Sequence, residues 1–223
     1  MFYIVTGSTS GLGLHITTRL LSNSHVIGIS RSINLPESLL NHPHYHHFSF
    51  DLANTSNLSF EKLVSSIFNL VSDEPYTVIF NAALFYSSDT RIPISEFNRL
   101  FQINFFSIVH LISILETPRL SRIAIINSIS GLVGQCKQPE YSSSKHALMG
   151  YTRSLIKRAK SLNYDVMCFN PGGINTPLWD SYPEIDNQLF LSPSFLASIL
   201  VPIISVSGRV FIENMVILPE CDI

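Results

Sequence analysis

Short runs of apolar and β-branched residues alternate along the chain with longer segments of helical spacing. Strands are predicted at residues 2–5, 25–30, 47–50, 77–80, 123–126 and 166–169, with a last strand at 210–212 or 215–218. Helices are predicted at residues 12–21, 59–71, 95–115, 142–162 and 194–201. This alternation indicates parallel βαβ units with right-handed crossovers, and the continuous apolar strands suit a sheet that is covered on both faces.

Composition and charge narrow the class of protein. The 223 residues fit a single domain spanning 1–223, and a hydrophobic fraction of 46% with 13% charged residues is typical of a globular chain. A formal net charge of −2 predicts binding neither to nucleic acid nor to an anionic membrane surface. No basic leader precedes the first apolar run, and no apolar run approaches the roughly 20 residues that span a bilayer.

The cysteines indicate the compartment. Cys136, Cys168 and Cys221 are widely spaced and odd in number, so a disulfide framework is not expected. Such a chain suits a reducing environment, and we expect a cytoplasmic protein.

A glycine-rich turn at residues 6–13 follows the first strand and opens the first helix. Gly7 would allow a tight turn, Gly11 the approach of backbone to a pyrophosphate, and Gly13 close packing of helix on strand. The N-terminus of the helix would then offer free N–H groups to the phosphates. The alternative interpretation is a glycine turn that binds no ligand.

The spacing of this turn is Gly-x-x-x-Gly-x-Gly rather than the common Gly-x-Gly-x-x-Gly. It resembles the Thr-Gly-x-x-x-Gly-x-Gly turn of the short-chain dehydrogenase/reductase family. The resemblance implies a three-layer, doubly wound Rossmann fold with a central parallel sheet of about seven strands. It also implies cofactor contacts from the residues of the turn, namely Gly7, Ser10, Gly11, Leu12 and Gly13.

The tip of the second strand predicts which nicotinamide cofactor binds. The first acidic residue of the chain is Glu37, too late for this tip, which carries Ser30 and Arg31 instead. A carboxylate there would hold the ribose of NAD, whereas a guanidinium pairs with the 2′-phosphate of NADP. In the family, a Ser-Arg pair at this location goes with NADP, so we expect NADP(H) in preference to NAD(H). Alternatively, Arg31 is a solvated loop residue.

Two further segments resemble cofactor contacts of the family. Asp51 and Leu52, after the third strand, correspond to an acidic-hydrophobic pair that contacts adenine, although Asp51 also suits a turn or a helix cap. After the fourth strand the family shows Asn-Asn-Ala-Gly, where this chain has Asn81, Ala82, Ala83 and Leu84. We expect contacts from the first three, and Leu84 replaces a glycine that normally permits close approach to the cofactor.

Tyr141 and Lys145 stand at i and i+4 and would share one face of a helix. A free tyrosine has a pKa near 10, and a nearby ammonium would stabilise the phenolate and lower that value. Taken alone, the pair more often marks an amphipathic helix with a solvated lysine, because many helices contain this spacing by chance. In the family it supplies the acid/base tyrosine and a lysine that also binds the cofactor.

Ser128 and Asn104 complete the expected catalytic group. Ser128 lies thirteen residues before Tyr141, in a stretch that resembles the family's Ser-x-x-Gly, where the serine binds the substrate carbonyl. Asn104 is a poor residue for a helix interior. The family's asparagine at this location bends the helix and holds a water linked to the lysine. The alternatives are a strand-end turn for Ser128 and an exposed helical residue for Asn104.

The last matching segment follows the sixth strand and resembles the family's Pro-Gly-x-x-x-Thr loop. The resemblance implies cofactor contacts from Pro171, Gly172, Ile174 and Thr176. A short substrate lid is expected at 177–194. In it, Leu178, Trp179 and Tyr182 either line the substrate entrance or anchor the lid by hydrophobic contacts.

These motifs run in family order along nearly the whole chain and together predict an NADP(H)-dependent oxidoreductase that interconverts a carbonyl and an alcohol. The alternative is a non-catalytic nucleotide-binding regulatory protein on the same scaffold. Family resemblance also implies a homodimer or homotetramer. No metal is required, although histidines cluster at positions 42, 44, 46 and 47.

Overall fold

The computed structural model describes residues 1–87, 92–182 and 185–220, so Cys221 and residues 183–184 of the expected lid lie outside it. Its strands are β1 (Phe2–Thr6), β2 (His25–Ser30), β3 (Tyr45–Ser49), β4 (Tyr76–Phe80), β5 (Leu120–Ile126), β6 (Asp165–Pro171) and β7 (Ile212–Ile217). They form one parallel sheet in the order β3-β2-β1-β4-β5-β6-β7. The predicted doubly wound α/β fold is confirmed.

Helices cover both faces of this sheet. They are α1 (Gly11–Leu20), α2 (Glu37–Leu40), α3 (Asn57–Val71), α4 (Ile94–Phe101), α5 (Ser107–Leu115), α6 (Pro139–Leu162) and α7 (Pro193–Ile204). One apolar core lies between the sheet and α3, α5 and α6, and the other between the sheet and α1 and α7. The strand order reverses between β1 and β4, where a doubly wound sheet opens a crevice at the carboxyl ends of its strands.

Most predicted boundaries differ from the structure by one to three residues, and the short helix α2 was not predicted. The third strand begins at Tyr45 rather than at residue 47, and the last strand is one element that joins the two alternatives. The helix predicted at 95–115 is interrupted by a π-helical segment at Gln102–Phe106. Asn104 lies in this segment, so the expected local distortion of the helix around that residue is present.

Taken together, α4, the π-helical segment and α5 form a helix of 22 residues that is long and apolar enough to cross a membrane, by length and composition only. The sequence predicts no such span, because no continuous apolar run is present here: Ser95, Glu96, Asn98 and Arg99 interrupt it. Leu111, Ile112 and Leu115 of this helix are buried in the core, which accounts for part of its apolar character. Absence of membrane association therefore stays a prediction.

Candidate active site

The glycine turn has the geometry of a phosphate cradle. Gly7 and Gly11 have positive φ angles of 68° and 50°, which favour glycine. A Cβ on Gly13 would lie 2.0 Å from the carbonyl oxygen of Gly7, so only glycine lets α1 start this close to β1. Gly13 thus has the expected packing role; it is not among the residues that line the cavity, and its direct contact with a cofactor stays a prediction.

The tip of β2 carries Arg31 on the cavity wall, with its side chain exposed. Among the described residues, its guanidinium has neither a hydrogen bond nor an ion pair. Ser30 accepts a hydrogen bond from Thr9 Oγ1 at 3.1 Å, which ties this tip to the glycine turn. Asp51, at the end of β3, accepts a hydrogen bond from the Ala53 amide through Oδ1, so it forms the turn that was one of its two interpretations.

A hydrogen-bonded chain behind this tip was missed by the sequence analysis. The Tyr45 hydroxyl lies 2.9 Å from Ser8 Oγ and 3.2 Å from His47 Nδ1, and His47 Nε2 lies 2.8 Å from the Ser32 carbonyl oxygen. A Cβ on Gly28 would lie 2.1 Å from the Tyr45 hydroxyl, so glycine is needed there. His47, considered above for metal binding, instead connects the glycine turn to the loop after Arg31.

The residues after β4 are fixed from two sides. Asn81 Nδ2 donates to the carbonyl oxygens of Thr6 and Gly7, which joins β4 to the glycine turn. Asn104 is fully buried, where its Oδ1 accepts from the Leu84 amide and its Nδ2 donates to the Leu84 carbonyl, both at 2.8 Å. Asn104 does not line the cavity. Asn104 thus positions Leu84, and its expected role of holding a water linked to Lys145 stays a prediction.

Three expected catalytic residues meet at the carboxyl ends of β5 and β6. Ser128 lies two residues beyond the end of β5 and hydrogen-bonds to Tyr141. One turn further along α6, the Lys145 ammonium nitrogen lies 5.6 Å from the centroid of the Tyr141 ring. Tyr141 and Lys145 are buried, and all three residues line the same cavity.

Burial sets the protonation of this group. It raises the pKa of Tyr141 to about 12, an effect that the hydrogen bond with Ser128 opposes. Burial also lowers the pKa of Lys145 to about 8. The lowered tyrosine pKa expected from the sequence is therefore not seen, because the loss of water around the phenolate outweighs the hydrogen bond with Ser128.

The segment after β6 closes the same end of the cavity. Pro171, Gly172, Ile174 and Thr176 all line it, and Ile174 pairs with Leu191 across the lid. Trp179 belongs to a three-residue 3₁₀ turn (Pro177–Trp179) and donates from Nε1 to the Ile174 carbonyl at 2.7 Å. Leu178 and Trp179 line the cavity, whereas Tyr182 donates to the Phe85 carbonyl and anchors the lid.

The cavity has a volume of about 480 Å³ and runs along the crevice from the tip of β2 to α6. Its residues fit a dinucleotide: the glycine turn lies in the middle, an unpaired guanidinium at one end, and a buried ammonium at the other. Asn127, which also lines it, has a buried Oδ1 without a hydrogen-bond partner among the described residues. Such an orphaned acceptor is consistent with a site built to bind a polar ligand.

Comparison with known proteins shows which family has this fold and this order of motifs. The family model described as short chain dehydrogenase matches residues 2–186. The chain belongs to the short-chain dehydrogenase/reductase family. Members of this family are oxidoreductases that bind a nicotinamide cofactor and act on small molecules.

Individual relatives are distant. A probable short-chain type dehydrogenase/reductase of Helicobacter pylori is 28% identical over 181 residues, which cover 78% of this chain and 65% of the relative. The chain thus spans slightly less than two thirds of that relative's length. The NADPH-dependent 3-dehydrocapnine reductase of Ornithobacterium rhinotracheale is 25% identical over 93% of this chain and 82% of its own length.

Solved structures share the fold. A short chain dehydrogenase from Escherichia coli, in complex with NADPH, has a TM-score of 0.84 at 19% identity, with 98% of this chain and 96% of that chain covered. A 4-hydroxyisoleucine dehydrogenase in complex with NADH has a TM-score of 0.83 at 21% identity, with 98% and 97% covered. The family fold therefore carries either nicotinamide cofactor in these two structures.

Against the short-chain dehydrogenase/reductase pattern, this chain departs at Ala82 and Leu84. Both residues line the cavity, and their backbone is held in place, Ala82 by the Thr6 hydroxyl and Leu84 by Asn104. The Leu84 side chain is half-buried and packs with Phe85 and Tyr141. The substitution thus adds apolar surface beside Tyr141, while hydrogen bonds hold the main chain of the motif in place.

Proposed function

We propose that the protein is an NADP(H)-dependent oxidoreductase that interconverts a carbonyl group and an alcohol. One observation carries the proposal: Ser128, Tyr141 and Lys145 meet in a cavity whose far end carries Arg31. Strands β1 and β4, with the glycine turn between them, separate the two ends. This is the separation over which a dinucleotide lies across the switch point of a doubly wound sheet.

The chain's own residues would hold the cofactor in a defined direction. The N-terminus of α1 and the amides of the glycine turn suit its pyrophosphate, and Arg31 suits a 2′-phosphate. Asp51 and Leu52 would contact adenine, and Lys145 the ribose beside the reacting ring. When bound, the cofactor supplies or accepts a hydride.

Proton transfer falls to Ser128 and Tyr141. The Ser128 hydroxyl would donate to the substrate carbonyl oxygen, which polarises the carbon that receives the hydride. Tyr141 would then donate its phenolic proton to the alkoxide oxygen that forms. Because burial raises the pKa of Tyr141 to about 12, the phenol is protonated at neutral pH, the form that reduction requires. Lys145 would stabilise the resulting phenolate.

The preference for NADP(H) rests on the tip of β2. Arg31 is exposed there and unpaired among the described residues, and the chain has no carboxylate before Glu37. One relative is named as NADPH-dependent, which agrees with this preference. The two reported structures carry NADPH or NADH, so the fold alone does not decide it.

A direct test measures oxidation of NADPH and of NADH at 340 nm against a panel of carbonyl compounds. We expect turnover with at least one carbonyl and a kcat/KM for NADPH at least roughly 100-fold above that for NADH. Saturable NADPH binding without turnover of any carbonyl would instead indicate a nucleotide-binding regulatory protein. Equal use of both cofactors would refute only the proposed role of Arg31 in selecting NADPH, and the oxidoreductase activity would stand.

We further propose that the chain acts as one domain spanning 1–223 and as a cytoplasmic homodimer or homotetramer. Cys136 and Cys168 are both free thiols, in agreement with a reducing compartment. Phe106 is exposed on the helix that contains Asn104, a suitable position for an interface residue. A single cooperative unfolding transition and a mass of two or four chains by light scattering are the expected results; a monomer would contradict the assembly.

A further inference from the structure

Phe85 lies at the centre of a cluster of aromatic rings beside the catalytic tyrosine. Its side chain is almost fully buried, and its ring centroid lies 5.0 Å from that of Tyr141, 4.7 Å from that of Trp179 and 5.1 Å from that of Tyr182. All three contacts are edge-to-face, the arrangement that aromatic pairs favour. Phe85 thus forms the wall of the cavity next to the phenol that donates the proton.

The backbone on both sides of this ring is held in place. Asn104 binds the amide and the carbonyl of Leu84, the residue before Phe85. The Tyr182 hydroxyl donates to the carbonyl oxygen of Phe85 itself at 3.1 Å. Because neighbouring groups fix the main chain at these points, the ring has little freedom to move away from Tyr141. It therefore acts as a fixed surface against which a substrate must pack.

Trp179 forms a second fixed surface. Its Nε1 donates to the Ile174 carbonyl, and its ring lies 5.1 Å from that of Phe190 in a further edge-to-face contact. Phe85, Trp179 and Phe190 all line the cavity. A carbonyl oxygen placed on Ser128 and Tyr141 would thus have aromatic walls beside the rest of its molecule.

The charges along the cavity complement this picture. Among the described residues that line it, only Arg31, Asp51 and Lys145 are ionisable to a full charge at neutral pH. Arg31 and Asp51 lie at the tips of β2 and β3, away from Tyr141. Lys145 alone is near the reacting atoms, and there it is committed to Tyr141 and the cofactor. A substrate carboxylate or phosphate would therefore be desolvated here without a cationic partner among the described residues.

We infer that Phe85 determines substrate specificity and selects flat, uncharged carbonyl compounds, with aryl ketones and aryl aldehydes favoured over anionic and bulky aliphatic ones. The inference rests on the proposed function, because it concerns the substrate side of the same site. It follows from the edge-to-face walls, which suit a ring, and from the lack of a described cation that could hold an anion.

The test compares three matched ketones with NADPH: 4-methylacetophenone, 4-acetylbenzoate and cyclohexyl methyl ketone. We expect kcat/KM for the first to exceed that for the anionic ketone by at least roughly 100-fold and that for the aliphatic ketone by about 10-fold. Phe85→Leu should remove the preference for the aryl over the cyclohexyl ketone, while Phe85→Tyr should keep it. Phe195→Leu, an exposed phenylalanine on α7, serves as the control and should change neither ratio.

A binding measurement gives a second readout that does not require turnover. Trp179 is the only tryptophan of the chain, so its fluorescence reports directly on this wall. In the complex with NADP⁺, 4-methylacetophenone should quench it saturably, and 4-acetylbenzoate should not at the same concentrations. If Phe85→Leu does not fold, this comparison on the unmodified protein still decides the matter.

The possible outcomes are distinguishable. If no ketone or aldehyde is reduced, the proposed function fails. If ketones are reduced but 4-acetylbenzoate is used or bound as well as 4-methylacetophenone, the inference about Phe85 is overturned and the proposed function stands. Equal use of the aryl and cyclohexyl ketones by the unmodified protein would overturn it too.

Discussion

One buried positive charge lies near the amino ends of the strands and another at their carboxyl ends, and their hydrogen-bond partners differ. At the amino ends of β5 and β6, Arg122 makes four hydrogen bonds, to Asp165 and to the carbonyl oxygens of Ile204, Val206 and Gly208. At the carboxyl ends, the Lys145 ammonium has one hydrogen bond among the described residues, of 3.5 Å to the Ile126 carbonyl.

The two buried charges differ in how far the chain's own groups compensate them, which suggests a structural role for Arg122 and a ligand-binding role for Lys145. Arg122 and Asp165 form an ion pair and clamp the loop between α7 and β7, and Nε of Arg122 is the one nitrogen of this guanidinium without a hydrogen-bond partner among the described residues. Lys145, Tyr141 and the orphaned Oδ1 of Asn127 have been taken out of water without full compensation. Incomplete satisfaction of buried groups costs stability and is tolerated where a ligand completes the site.

The largest stability effect is expected at the Arg122–Asp165 pair. Among the described residues, Arg122→Met leaves the buried Asp165 with Arg209, at 3.4 Å, and the Val210 amide, and it removes the donor of three carbonyl groups. Chemical denaturation should show a loss of about 3–5 kcal/mol in the free energy of unfolding. Arg153→Met, which removes an exposed ion pair with Glu213, is the control and should cost less than about 1 kcal/mol. Similar losses for both variants would contradict the comparison.

Lys145→Met should raise the free energy of unfolding, whereas Arg122→Met should lower it. Burial lowers the pKa of Lys145 to about 8 from its ordinary 10.5, so below pH 8 the folded protein bears the full cost of the charge. That cost fades as pH rises from 8 towards 10.5. Relative to the unmodified protein, the variant should therefore gain about 3 kcal/mol at pH 7, and this difference should shrink at higher pH. Denaturation between pH 7 and 10.5 measures it, while activity is lost.

The control for this variant is Lys157→Met on the exposed face of the same helix, which should show no such pH dependence. A stability difference for Lys145→Met that stays constant over this pH range would show that the lysine is not held at a lowered pKa.

Arg31→Asp should exchange the cofactor preference. It removes the cation that suits a 2′-phosphate and places there a carboxylate, which repels the phosphate and can hold a ribose hydroxyl. We expect kcat/KM for NADPH to fall roughly 100-fold, about 2.7 kcal/mol, with a rise for NADH. Arg31→Ala should give an intermediate loss and no gain with NADH. An unchanged kcat/KM for NADPH in both variants would show that Arg31 does not contribute to the cofactor site.

The smallest effect is expected at Tyr45. Tyr45→Phe interrupts the chain from Ser8 to His47 behind the β2 tip, at a cost of about 0.5–1.5 kcal/mol in NADPH binding. Titration calorimetry should show a 2- to 12-fold weaker Kd. Tyr3→Phe, which removes a hydrogen bond to Ser205 elsewhere, should leave the Kd unchanged. Equal Kd values for both variants would show that the hydrogen bonds linking Ser8, Tyr45 and His47 do not support the cofactor site.

Local patterns carry most of what the sequence predicts. Hydrophobic runs and helical spacing place most strands and helices to within a few residues. The motif order places Ser128, Tyr141 and Lys145 at the carboxyl ends of the strands, where they line one cavity. Asn104 is predictable as a helix irregularity because its side chain competes with backbone hydrogen bonds.

Contacts between distant segments escape such patterns. Tyr45 and Ser8 meet only because of the register of β3 against β2 and the absence of a side chain at Gly28. Phe85 and Trp179 meet because two loops approach each other across the crevice. The raised pKa of Tyr141 also depends on burial, which the spacing of Tyr141 and Lys145 does not reveal. Each of these features is a property of tertiary packing.

Tyr141→Phe tests the central claim most directly, measured by NADPH binding and by NADPH-dependent ketone reduction on the same sample. We predict that kcat falls by at least about 1,000-fold, because the proton donor is lost, while the Kd for NADPH changes by less than about threefold. A variant that keeps more than a tenth of the activity of the unmodified protein would contradict the assignment of Tyr141 as the proton donor.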